Sequence, residues 1–175
     1  VDRLDVSHYR LSIHLVTAFI ILSLVFWKFL KLSEYRVNYV SMKLNSIKFF
    51  LFLLFLQLII GAFVSGMDAG MIYNTWPLMG SSYFPNDSGL SELFTVKLFD
   101  NPSLVQFIHR NLAYLIVAVY IYLLIFIFNN KNKILRLPII VIGIFLIIQI
   151  GLGIITLTSG VKIIYASLHQ INSIF

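Results

Sequence analysis

The sequence predicts an all-α fold, a polytopic bundle of transmembrane helices. Of its 175 residues 59% are hydrophobic and only 11% charged, against roughly 25% charge in a soluble domain. The apolar residues form continuous runs close to the ~20 residues a helix needs to cross a bilayer, not the alternating pattern of a membrane β-barrel. The bases gather in short stretches between these runs, so the net charge of +6 sets orientation in a membrane and does not mark a nucleic-acid surface.

Five apolar segments carry the prediction, at about 9–30, 47–66, 104–128, 137–158 and 163–175. The first four approach or exceed a full span, and the fifth has about thirteen residues before the chain stops. Val1 is not an initiator Met and Phe175 falls inside an apolar run, so the chain is expected to be part of a longer protein. Ser103 is the expected N-cap of the third helix, after Pro102, and Gln106 is expected to help cap it.

The connections give the orientation. Lys28, Lys31, Arg36, Lys43 and Lys48 flank the first connection, and Lys131, Lys133 and Arg136 flank the third. The long second connection instead holds Asp68, Asp87, Glu92 and Asp100 against Lys97. The positive-inside rule places the basic connections on the cytoplasmic side and the acidic one outside. Within that outer stretch, Tyr73 and Trp76 suit the headgroup layer, and residues 66–80 read either as a lid over the bundle mouth or as an ordinary interfacial loop.

This topology aligns three histidines. His14, His109 and His169 each fall near the start of an outside-to-inside helix, about 5–8 Å below the outer surface at 1.5 Å per residue. A lone imidazole in hydrocarbon is costly and is a functional candidate by default. Facing imidazoles in a helical bundle can hold haem iron from both sides, giving an electron relay without a vacant coordination position. The other reading is a pair of buried histidines bonded to neighbouring hydroxyls or carbonyls, with Ser167 as one such partner. Arg110 can pair with a haem propionate or snorkel to the headgroups, and Gly61, Gly151 and Gly153 can serve helix packing or make room for a flat macrocycle. His8 is expected to be a solvated interfacial residue. With no cysteine, thiolate metal sites, disulfides and iron–sulfur clusters are excluded for this chain.

An internal echo accompanies the histidines. Ser12-Ile13-His14 matches Ser167-Leu168-His169, and Gln57 to Gly61 followed by Ser65-Gly66 matches Gln149 to Gly153 followed by Ser159-Gly160. The echo suggests a duplicated four-helix unit. Residues 1–46 then hold the last helix of one copy with its cytoplasmic loop, and residues 47–175 hold the other copy, truncated in its last helix.

Four motifs together resemble the haem A synthase family: Tyr9-Arg10-Leu11-Ser12-Ile13-His14-Leu15; Ser65 to Gly70 running on to Asn74-Thr75-Trp76-Pro77-Leu78-Met79; Gln106-Phe107-Ile108-His109-Arg110; and Ser167-Leu168-His169-Gln170. The resemblance covers nearly the whole chain and implies helices four to eight of an eight-helix protein built as two halves. It implies an inner-membrane oxidoreductase, bacterial or mitochondrial, that converts haem O to haem A by oxidising a porphyrin methyl to a formyl group. It makes His109 and His169 the ligands of a haem b in the C-terminal half, with Arg110 beside that cofactor. His14 becomes a catalytic residue, one of two histidines on the iron of the substrate haem O. Haem O synthase, oxidase assembly proteins and a second copy of the protein are the implied candidate partners. The family's catalytic glutamate and the partner of His14 belong to a helix absent here, so the chain alone is expected to be inactive. Lacking cysteine, it is similar to the cysteine-free branch. The alternatives are a bis-histidine b-type cytochrome subunit for electron transfer and a haem-free transporter or assembly protein.

Overall fold

The computed structural model describes residues 7–33, 44–129 and 133–175; Arg36, Lys43 and Lys131 of the basic connections lie outside them. Five α-helices follow one another: α1 His8–Leu32, α2 Leu44–Gly66, α3 Pro102–Asn129, α4 Arg136–Thr158 and α5 Ile163–Asn172. The described residues contain no strand, only an isolated bridge between Met79 and Ser82. Four of these helices are long and apolar enough to cross a membrane.

Sequential helices pack antiparallel. Gly66, at the end of α2, lies against His8 at the start of α1, where an added Cβ would meet the His8 Cα at 3.0 Å. That close approach is the service small residues perform between helices in lipid, where apolar burial gives no drive to associate. Further along, Phe50 faces Tyr120, while Gln57 reaches His109, so α2 runs against α3. Phe145 stacks on Phe175 with centroids 5.4 Å apart, which sets α5 against α4.

α3 is the central helix. Its Val105, Leu112, Ile116, Leu123 and Ile127 pack with Phe50, Leu53, Ile60 and Phe63 of α2 and Ile139 of α4 in one apolar core. By contrast, none of α1's most apolar window is buried; Ile13, Val25, Phe26 and Phe29 are exposed, a surface suited to lipid or to further helices.

The start of α3 corrects the sequence reading. Asn101 is the cap: its Oδ1 accepts from the amides of Ser103 (3.0 Å) and Leu104 (3.2 Å). Pro102 therefore occupies the first helical position, where its missing N–H costs nothing and its fixed φ is already helical. Ser103 is freed from capping and donates to Asp87 at 2.6 Å. At the inner end, Arg136 closes the turn between α3 and α4, donating to the Phe128 carbonyl at 3.0 Å.

α4 ends in two left-handed residues, Gly160 (φ 73°) and Val161 (φ 57°). Positive φ is costly for a β-branched side chain. The Val161 amide recovers a helix-end carbonyl, donating to Thr156 at 2.8 Å.

α3 and α4 meet through Tyr120, whose hydroxyl donates to the Ile139 carbonyl at 3.0 Å and lies directly over Gly143. Gly→Ala in a helix interior normally gains about 1 kcal/mol. Here the phenol occupies the space a Cβ needs, so the sign reverses. Gly143→Val is expected to lower the thermal stability of the detergent-solubilised protein by about 1–3 kcal/mol, and adding Tyr120→Phe to it is expected to restore part of that loss, since the hydroxyl is the nearest atom and ring carbon Cζ stays 2.7 Å from the added Cβ.

Candidate functional site

The apolar bundle narrows toward the outer end onto two imidazoles. His109 is the eighth residue of α3 and His169 the seventh of α5, so both sit about 9–10 Å from their helix starts at 1.5 Å per residue. They lie within electrostatic reach of each other. His14, seventh in α1, shares this depth but faces outward, exposed on its helix. The structure thus joins two of the three histidines picked from the sequence and leaves the third on the outside of the described bundle.

Each buried imidazole is met by a glutamine from the preceding helix. The Gln57 side-chain amide of α2 donates to the His109 carbonyl at 3.1 Å and lies 3.4 Å from His109 Nε2. The Gln149 amide of α4 lies 3.5 Å from His169 Nε2. Its own Oε1 accepts from Asn172 at 2.8 Å, and Asn172 also donates to the Phe145 carbonyl at 3.1 Å.

These bonds fix the proton on each ring. In both glutamines the oxygen and nitrogen are told apart by a second partner, so an N–H faces each Nε2. An N–H toward Nε2 requires a lone pair there, which places the imidazole proton on Nδ1. For His169 that proton has an acceptor, the Gln149 backbone carbonyl at 3.1 Å. His109 Nδ1 is buried with no partner among the described residues. Both rings are therefore neutral with the proton on Nδ1, the tautomer whose Nε2 can bind a metal in exchange for the glutamine contact.

Glycine makes the room. A Cβ on Gly61 would come within 3.2 Å of His109 Cε1, and one on Gly153 within 3.0 Å of His169 Cε1. Gly61 is four residues after Gln57 and Gly153 four after Gln149, so each glutamine and its glycine share a helix face one turn apart. Gly151 has open space around it. Among the described residues there is no group of three or more His, Asp or Glu that could hold a bare metal ion. What remains is a two-imidazole donor set with a glycine against each ring, which suits a metal carried in a planar ring that supplies its other ligands.

The outer segment straps the mouth. Arg110 donates through Nη1 to the carbonyls of Thr75 (2.9 Å) and Leu78 (3.2 Å), and through Nη2 to that of Tyr73 (3.0 Å). Gln106 donates to the same Tyr73 carbonyl at 3.1 Å instead of capping α3. Asn74 crosses to α4, donating to the Leu157 carbonyl at 2.9 Å. The strap thus ties α3 to α4 above the histidines. Phe84 packs edge-on against Phe107, and the Tyr83 hydroxyl donates to Asn111.

Two sequence expectations change here. His169 bonds to Gln149 rather than Ser167. His8 is half-buried, its ring 4.3 Å from that of Tyr9 and its Nε2 3.4 Å from the Asp100 carboxylate, which also accepts from the Tyr9 hydroxyl at 2.8 Å. The start of α1 is thereby pinned to the outer segment. The roles of Gln57, Gln149 and Asn172 were missed; the echo of Gln57/Gly61 in Gln149/Gly153 was their signal.

Comparison with known proteins places this arrangement. A model of the COX15-CtaA family, described as cytochrome oxidase assembly protein, matches residues 1–175. A relative named "Heme A synthase" from Pelagibacter ubique is 45% identical over 99% of this chain and 51% of its own length. Another of that name from Sinorhizobium fredii is 32% identical over 99% of this chain and 48% of its own. A third, from Flavobacterium johnsoniae, is 41% identical over 68% of this chain and 36% of its own. The chain spans about half or less of these relatives. No solved structure matches it.

One carboxylate, Asp87, gathers hydrogen bonds from the strap and from the start of α3. Burial alone would raise the Asp87 pKa, but hydrogen bonds from Ser103, Ser88 and Tyr73 outweigh it and hold the carboxyl below its ordinary value. A depressed folded pKa means stability that is present above the ordinary carboxylate range and is lost as pH falls through the folded value. Amide protection across residues 73–101 is expected to drop below about pH 4. Asp87→Asn is expected to remove most of that pH dependence, as read by hydrogen exchange.

Proposed function

The chain belongs to the COX15-CtaA family, and on that premise we propose that it is the C-terminal half, with one preceding helix, of an inner-membrane haem A synthase. Its own site is read as the seat of a haem b, which His109 and His169 would hold through their Nε2 atoms. The observation that carries this reading is the pair of glutamine-directed imidazoles, each presenting an unprotonated Nε2 beside a glycine. When bound, the haem would supply one-electron transfer without an open coordination position.

The protein's part is to bind, orient and exclude water. Gln57 and Gln149 hold the rings in the ligand tautomer. The strap, fastened by Arg110 and Asn74, covers the mouth. Arg110 has five N–H groups and commits three to strap carbonyls. The two left, Nε–H (buried and unpartnered among the described residues) and one Nη2–H, are the donors proposed to meet a propionate.

The reaction proposed for the complete protein is oxidation of a methyl group of the substrate haem O to a formyl group, giving haem A. His14 is the residue proposed to meet the substrate. Its exposure on α1 fits a site completed by helices outside this chain. The lipid bilayer is the medium of both haems, and haem O synthase and oxidase assembly proteins are the proposed partners.

In the complete protein, His109→Ala and His169→Ala are each expected to abolish low-spin b-type absorbance. His14→Ala is expected to leave that absorbance in place while haem A, measured by extraction, falls at least tenfold on the scale of losing a metal ligand or its support. Unchanged low-spin spectra in both of the first two variants would refute the ligand assignment.

A further inference from the structure

We propose that the two axial histidines are unequal: His169 is the anchoring ligand and His109 the one that yields. The inference rests on the haem b reading above and adds a ranking that the reading does not contain.

The difference lies behind the rings. His169 Nδ1–H donates to the Gln149 carbonyl at 3.1 Å. A ligand imidazole whose far N–H is held by a carbonyl is the more basic donor and is fixed in rotation about its Cβ–Cγ bond. Asn172, one turn further along α5, holds the side chain of Gln149, the residue whose backbone carbonyl accepts from Nδ1–H.

His109 has a thinner support. Its Nδ1 is buried without a partner among the described residues, and so is Oε1 of Gln57. Among the described residues, Gln57 is held by the carbonyl of the histidine it serves and by nothing else, and no group polarises the His109 ring from behind. Of two imidazoles competing for opposite sides of one iron, the unpolarised ring is the weaker donor and the first displaced.

The complete protein, purified with its haem, provides the test. Haem per polypeptide is read by pyridine haemochrome, alongside ferric spectra and ferrous–CO difference spectra. His109→Ala is expected to keep most of its haem in a five-coordinate, high-spin form that binds CO. His169→Ala is expected to lose about tenfold or more in haem affinity, in line with loss of a supported ligand. Equal losses, or a greater loss for His109→Ala, overturn the ranking and leave the haem reading intact. Wild-type protein that carries no haem at all overturns both.

The wild type supplies a measurement free of folding effects. After photolysis of its ferrous–CO form, the iron–imidazole stretch reports the retained ligand. A frequency raised into the range of a hydrogen-bonded imidazole supports His169 as that ligand. The lower frequency of an unbonded ring overturns the proposal.

Discussion

An imidazole in a low-dielectric bundle needs partners for its nitrogens, and in this protein glutamine meets Nε2 of both buried rings. Leaving a buried polar group unmet costs about 1–3 kcal/mol. An acidic partner would settle the cost by charging the ring and would consume the lone pair. A glutamine amide N–H occupies the lone pair at Nε2 without protonating it and leaves the imidazole neutral. Everything around the histidines serves that contact. α2 must run against α3 and α4 against α5 in a register that brings Gln57 to His109 and Gln149 to His169, and glycine must stand one turn along so the rings have room.

The outer segment then solves a second problem at the same depth. Helix α3 opens only seven residues before His109, so its end and the site share one layer. Carbonyls of Tyr73, Thr75 and Leu78 turn inward onto Arg110, while Asp87 gathers Ser88 and Ser103. Backbone polarity that lipid could not satisfy is met by side chains of the helix it covers. Non-helical backbone near the membrane surface is thereby tolerated, and it lies over the place where a bound group would need shielding from water.

Much of the fold was legible because long apolar runs have few alternatives. All five helices were placed within a few residues, and the three histidines at their common depth. What stayed hidden depended on rotational phase. α2 and α4 are apolar on nearly every face, so their period gives no direction. Gln57 and Gln149 therefore stood out as polar exceptions and as a repeat, without a stated partner. The cap at Asn101 was missed by two residues because Pro102 was taken as the end of the connection rather than as the first helical residue. Arg110 was read toward headgroups or a propionate because the strap carbonyls that occupy it are thirty or more positions away and leave no trace in local spacing.

The two halves of the site need not be equivalent. A glutamine, a glycine and a histidine come together twice within residues 47–175, each ring neutral at Nε2. What stands behind each ring differs. α5 carries Asn172 one turn beyond His169, and that residue reaches back to Gln149 and to the Phe145 carbonyl. The position one turn beyond His109 on α3 is Leu112, buried in the apolar core. On α5 that position holds the glutamine, and on α3 it packs the helix into the bundle. The central helix needs that packing, since the core is built on it, whereas α5 at the edge does not. The inequality of the two imidazoles thus follows from where each helix sits in the bundle.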